Sequence, residues 1–132
     1  MDTARPVADR SPAVLVRQFH THVGAAIRST PALDVPGAGR RCEFIEEEAA
    51  ELRAALAAGD AVAVAVALAD LTYVVYGTAL HFGIDLDAVL QEVHRSNMTK
   101  TPAGDGKAIK GPDYQPPRLA PILYPDRGDA AP

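Results

Sequence analysis

Five of the six glutamates of the chain lie between residues 43 and 51, in the run EFIEEEAAE. A run of this kind ordinarily makes a solvated charged face. Its helical register complicates that reading. At about 100° per residue, Phe44, Ile45, Ala49, Leu52 and Leu56 mark an apolar side. Glu48 falls inside that arc, Glu51 at its rim and Glu47 a little further round, while Glu46 and Arg53 point to solvent. A carboxylate on an apolar side must be paired, protonated or bound to a cation, because burying it bare is costly. Glu48 and Glu51 stand three residues apart and can offer oxygens to one hard cation such as Mg²⁺ or Mn²⁺.

Asp70 raises the same question. It is the one charge in AVAVAVALADLTYVVYGTAL, residues 61–80. An arginine, a backbone group or the cation offered by the glutamates could answer it. A short turn at Gly59-Asp60 would bring Asp70 opposite Glu48 and Glu51, since each lies roughly ten residues from that turn in an antiparallel helix pair. A third cluster is basic. All three lysines, Lys100, Lys107 and Lys110, fall in KTPAGDGKAIKG. Lysines on a glycine-containing loop act as point-charge phosphate ligands, although a solubilising tail has the same composition. GDGK lacks the spacing and the strand–loop–helix setting of a P-loop. The histidines (His20, His22, His81, His94) follow no zinc pattern and read as structural or exposed. Cys42 is alone, so no disulfide or thiolate metal site forms within the chain.

The elements that must carry these residues are helical. The 132 residues suit one domain. The hydrophobic fraction is 48%, much of it alanine, with 5% aromatics, which favours closely packed helices over a sheet. Ser11-Pro12 opens a helix expected to reach about residue 28. A second is expected from about Cys42 to Leu56, ended by Gly59. Asp60 caps a third, which runs to Gly83 and is apolar all round, the pattern of a central helix enclosed by others. Asp85 caps a fourth, to about residue 98. Seven of the eleven prolines fall between 102 and 132, where an extended arm is expected. The organisation is therefore a flexible tail over 1–10, a helical domain over 11–100 and an arm over 101–132, an all-α fold.

A net charge of −4 argues against general nucleic-acid binding. The first twelve residues are polar and unlike a signal peptide. The apolar run 61–82 is long enough to raise the membrane question. It is weak in strong hydrophobes and contains Asp70, Thr72, Gly77 and His81, so it reads as a core helix of a cytoplasmic protein with no membrane role.

Glu47-Glu48-Ala49-Ala50-Glu51 matches an EExxE motif, and ALADLTYVVYGTALHFGIDLDAVLQEVHRSNMTK and GKAIKGPDYQPPRLAPIL extend the match over about residues 15–123. Over that span the chain resembles the MazG-like superfamily of all-α NTP pyrophosphohydrolases, in its phosphoribosyl-ATP pyrophosphohydrolase-like or dimeric dUTPase-like branch. The resemblance implies a four- to five-helix bundle with an extended C-terminal arm, assembled as a homodimer or a dimer of dimers. It implies Mg²⁺ (or Mn²⁺) and cleavage of the α–β phosphoanhydride of a nucleoside triphosphate to monophosphate and pyrophosphate, in nucleotide-pool housekeeping. By motif position Glu48, Glu51 and Asp70 would be metal ligands, and Glu47 a further ligand or the catalytic base. Asn97 and Lys100 would contact the substrate phosphates, and Lys107 and Lys110 would close over them.

One departure stands out. The family carries a further acid three or four residues before the aspartate, where this chain has Ala67 and Val66, and position 63 is alanine as well. Asp60 lies ten residues from Asp70, about 15 Å along a helix, and cannot substitute. The alternative is thus a catalytically impaired helical dimer that binds nucleotide or serves as an interaction module. The base preferred, among dUTP, dCTP, another NTP or phosphoribosyl-ATP, is carried by no residue.

Overall fold

The computed structural model describes residues 10–127, so the expected tail lies outside the described residues except for Arg10. The chain forms two compact units, one ending at Ile84 and the other beginning at Asp85.

The first unit contains three helices. Helix α1, Pro12–Val23, starts where expected: the Ser11 hydroxyl accepts the Val14 N–H at 3.4 Å, and Pro12 fills the first turn. It ends at Gly24, not near residue 28. Gly24 takes a left-handed φ of 74° and returns its N–H to the His20 carbonyl. The freed segment then straps the end of α3 (Ala61–Phe82): the Arg28 and Ala32 N–H groups donate to the Leu80 and Phe82 carbonyls. The Phe82 carbonyl lies beyond the last intrahelical bond and the Leu80 carbonyl is shared with the Gly83 N–H at 3.3 Å, so the strap completes the end of α3.

Helix α2, Ala38–Ala58, begins four residues before the expected Cys42, directly after Gly37 in the left-handed region. Gly59 ends it with φ 66°, and Asp60 caps α3 by accepting the Ala63 N–H at 3.1 Å. Left-handed glycine followed by aspartate turns α2 back on α3 as an antiparallel hairpin, the cap alone contributing about 1 kcal/mol.

Small residues hold the helices together. The buried apolar residues are Val16, Ala55, Ala67, Ala79 and Leu80. Near the far end of α3, Arg41 of α2 lies over Gly77 and donates to the Thr78 hydroxyl at 3.2 Å and the Val74 carbonyl at 3.1 Å. A Cβ at Gly77 would stand 2.5 Å from the Arg41 guanidinium and 2.8 Å from the His20 ring, so only glycine admits them. His20 and His81 are both buried. Each reaches a carbonyl, His20 Nδ1 to Ala26 at 3.1 Å and His81 Nε2 to Pro36 at 2.8 Å. Burial, with the nearby charge of Arg41 and His81, lowers the pKa of His20 against the opposing pull of the Ala26 carbonyl. Both histidines serve the fold, as their lack of a ligand pattern suggested.

The enclosure expected for α3 is not found. Val62, Val66, Leu68 and Val75 are 75%, 54%, 49% and 37% exposed. The twelve-residue α1 packs on α3 through Phe19 on Tyr73 and His20 on Gly77. The apolar side expected of α2 is corrected likewise. Ala55 is the buried residue, while Ala49 and Leu56 are exposed. By length and composition α3 could cross a membrane, with a mean hydropathy of 1.6 over its most apolar window.

In the second unit, Asp85 caps α4 (Leu86–Asn97) by accepting the Ala88 N–H at 3.2 Å. The expected arm carries a short antiparallel hairpin, β1 (Thr101–Pro102) on β2 (Ala108–Ile109), then a one-turn helix α5 (Ala120–Leu123) and a 3₁₀ turn, Pro125–Arg127.

Candidate metal centre

The α2–α3 hairpin brings three carboxylates together. Glu48 and Glu51 come from α2 and Asp70 from α3, and one oxygen from each lies within 4.8 Å of the other two. Local sequence explains the approach. EEEAAE is helical by propensity, so its acids keep the one-turn spacing that stacks Glu48 and Glu51 on one side. Alanines at 54, 55, 63 and 67 keep the facing surfaces shallow enough for Asp70 to reach across.

The electrostatics of the cluster are unfavourable as they stand. Glu48 Oε2 is withdrawn from solvent and has no hydrogen-bond partner. That burial raises the Glu48 pKa, and the charge of Glu51, a hydrogen bond shared with Glu51 and the charges of Asp70 and Glu47 raise it further. Among the described residues, no ion pair engages Glu48, Glu51 or Asp70, so the arginine that would have explained Asp70 structurally is not there. Asp70 is exposed, a correction to its expected burial.

A divalent cation fits this donor set. Three carboxylate oxygens and no nitrogen or sulfur suit a hard ion. Oxygens on opposite sides of Mg²⁺ stand about 4.2 Å apart, twice a bond of about 2.1 Å, and further apart around a larger ion. A spread of at most 4.8 Å therefore needs adjustments of tenths of an ångström. The orphaned Glu48 oxygen is the atom that such a cation would satisfy.

The other residues singled out by sequence have the following surroundings. Glu47 is exposed and 3.6 Å from Arg40, which also holds Glu43 at 2.7 Å and lies over the Phe44 ring. Asn97, Lys100, Lys107 and Lys110 belong to the second unit: Asn97 ends α4, Lys100 is half-buried, and Lys107 and Lys110 are exposed. The positions lacking an acid acquire a shape of their own. Ala63, Val66 and Ala67 line a groove of about 460 Å³ with Ala54, Ala55 and Glu51. Arg41 was not foreseen as the clamp between α2 and α3, since the helix was expected to begin only at about Cys42.

No curated protein matches the chain. A family model does: that of phosphoribosyl-ATP pyrophosphohydrolase matches residues 16–97, a span that holds α2, α3, α4 and the three carboxylates. The family implies pyrophosphohydrolase chemistry, a hydrolysis of acid anhydrides, and a cluster of carboxylates able to hold a divalent cation is what such chemistry requires. Helical fold, acidic hairpin and family match agree, and the chain belongs to the phosphoribosyl-ATP pyrophosphohydrolase family.

Proposed function

We propose that the protein is a nucleoside triphosphate pyrophosphohydrolase that cleaves the α–β phosphoanhydride, releasing a nucleoside monophosphate and pyrophosphate. The observation that carries this reading is the buried, unpartnered Glu48 oxygen within a cluster of three carboxylates on a chain of this family. Glu48, Glu51 and Asp70 would hold Mg²⁺ or Mn²⁺, one ion per chain, because Ala63, Val66 and Ala67 leave no oxygen for a second. When bound, the cation neutralises charge developing on the phosphoryl oxygens and lowers the pKa of water.

The protein's own groups supply the rest. Glu47, one helical turn before Glu51 and open to solvent, is the candidate base that takes a proton from the attacking water. Asn97 and Lys100 would bind phosphate oxygens, with Lys107 and Lys110 adding positive charge from the hairpin.

The exposed apolar surface supports assembly. Leu56, Val62 and Val66 flank the α2–α3 turn, and a second copy of the chain covering them would make a homodimer or a dimer of dimers. A bilayer is the poorer cover, since it would take Asp70, at the middle of α3, and the facing Glu48 and Glu51 of α2 out of water. This favours a soluble protein of the cytoplasm.

A second reading draws on Val66 and Ala67: a helical dimer that binds nucleotide without turning it over. Incubation with a panel of nucleoside triphosphates and deoxynucleoside triphosphates in Mg²⁺ or Mn²⁺ separates the two. Pyrophosphate release with at least one, lost in Glu48→Gln, is expected of the hydrolase. No release from any, with nucleotide still bound, would establish the second reading.

A further inference from the structure

The segment that carries every lysine is closed on itself by side chains with no part in the carboxylate site. At its base, the Thr99 hydroxyl accepts the Gln115 N–H at 2.9 Å and donates to the Ser96 carbonyl at 2.7 Å. The Ser96 hydroxyl donates to the Gln115 carbonyl at 2.7 Å, and Arg95 Nη1 donates to Gln115 Oε1 at 3.0 Å. Gln115 is thus held by its N–H, its carbonyl and its side chain at once. Ser96 is only 2% exposed, so its bond to Gln115 is shielded from competing water.

Inside this closure the chain is ordered as well. Thr101 pairs with Ile109 and Pro102 with Ala108, the Ala103 N–H donates to the Lys107 carbonyl at 3.0 Å, and Asp105 accepts the Lys107 N–H at 3.0 Å. Gly111 passes so close to Thr101 that a Cβ there would stand 2.5 Å from its hydroxyl. Such a loop, ends joined and interior bonded, is an Ω-loop and not a loose tail.

The charges on the loop are unspent. Among the described residues no carboxylate pairs with Lys100, Lys107 or Lys110. Lys110 rests 5.2 Å above the Tyr114 ring, and Asp105 is committed to a backbone N–H. A groove of about 680 Å³ beside the latch is lined by Arg95, but that guanidinium already donates to Glu92, Gln115 and the Pro116 carbonyl. The free donors are therefore the ammonium groups of the loop.

We propose that Ser96 and Gln115 latch residues 99–115 into a preformed loop that presents Lys107 and Lys110 to a polyphosphate chain, making Ser96 and Gln115 positioning residues for phosphate binding. The inference rests on reading those lysines as ligands of the substrate's phosphates. It assigns them a mechanism: the ordering entropy of the loop is met on folding and not on binding, which favours affinity.

The test uses inorganic tripolyphosphate, without metal, titrated into the full-length protein by calorimetry. Gln115 is exposed, and Gln115→Ala removes only its side-chain bond to Arg95, while the buried Ser96→Ala removes the hydroxyl that holds the Gln115 carbonyl. Ser96→Ala is expected to weaken tripolyphosphate about five- to tenfold and Gln115→Ala, which loses one exposed bond, about two- to threefold. The amides of this loop should exchange faster in both, while Gln115→Glu, which keeps the acceptor for Arg95, should retain that protection. Lys107→Ala with Lys110→Ala should weaken binding without faster exchange. If the hydrolase reading holds, Gln115→Ala raises KM for the nucleotide and leaves kcat unchanged. The proposal is overturned if tripolyphosphate fails to bind the unaltered protein, if the lysine double variant binds it equally well, or if Gln115→Ala speeds exchange with no loss of affinity. Failure of the hydrolase reading is seen separately, as absence of pyrophosphate release while these binding differences persist.

Discussion

The two units handle charge in opposite ways. On the α2–α3 hairpin, three carboxylates crowd within 4.8 Å with no ion pair to balance them among the described residues, and one oxygen is both buried and unpartnered. On α4, Glu92 is surrounded by donors: both its oxygens accept from Arg95 at 2.8 Å and one also accepts the Arg118 N–H at 2.6 Å. These bonds, those of Arg95 first, pull the Glu92 pKa down to about 2, whereas burial and like charge push Glu48 the other way. A carboxylate with its partners supplied by the chain is scaffold. A carboxylate left without them, where repulsion between neighbours at about 4 Å amounts to roughly 1–4 kcal/mol, marks a place that something else must complete.

The sharpest way to break this contrast is at Asp70. Asp70→Asn should lower pyrophosphate release at least ~100-fold, since transition-state charge would lose much of its metal support, yet leave thermal stability unchanged or raised, because a like charge has been removed. Loss of stability alongside activity would make Asp70 scaffold. Next in size is Gly77→Ala, in the structural part of the same unit. The new methyl meets Arg41 and His20, and denaturant melts should show a loss of about 1–3 kcal/mol. Unchanged stability would mean that the Arg41 clamp moves freely.

Val66→Asp sharpens the comparison from the other side. Val66 is 54% exposed and lines the groove beside Glu51, so an added carboxylate there is tolerated and should tighten Mn²⁺ several-fold by calorimetry, a gain of about 1 kcal/mol. Ala67→Glu, although it answers the same gap in sequence, enters a position only 3% exposed and should cost stability for any affinity it adds.

The smallest effects are on pH. The folded pKa of Glu92 lies below its unfolded value, so its contribution is complete above about pH 4.5 and is lost as pH falls toward 2. His20 has a folded pKa below its ordinary 6.5, so its protonation opposes folding and stability should decline as pH drops below about 6.5. Melts between pH 8 and 5 should show a slope that His20→Gln flattens, and melts from pH 5 to 2 a second slope that Glu92→Gln removes.

How much of this was legible depended on the range of the interaction. Ser11, Asp60 and Asp85 cap helices through residues three positions on, and Gly59 and Gly83 end them through carbonyls three or four positions back. These bonds are local, and the helix starts and stops they govern were readable. The convergence of Glu48, Glu51 and Asp70 followed from equal distances to a turn that is itself local. The end of α1 differs from the expected one because Ala25 and Ala26 favour helix, while the segment after Gly24 bonds to the Leu80 and Phe82 carbonyls fifty or more residues away. The exposure of α3 escaped for a related reason: periodicity tells which face is apolar and not whether the chain has another helix to cover it. The hold of Ser96 on Gln115 spans nineteen residues and leaves no pattern at all.

The central claim is that the unbalanced cluster is a cation site. A Mn²⁺ titration followed by calorimetry, on the unaltered protein and on Glu48→Gln, tests it most directly. One Mn²⁺ per chain, with affinity lowered at least ~100-fold in the variant, is the predicted result. Equal affinity in the two proteins, or no binding to either, would contradict it.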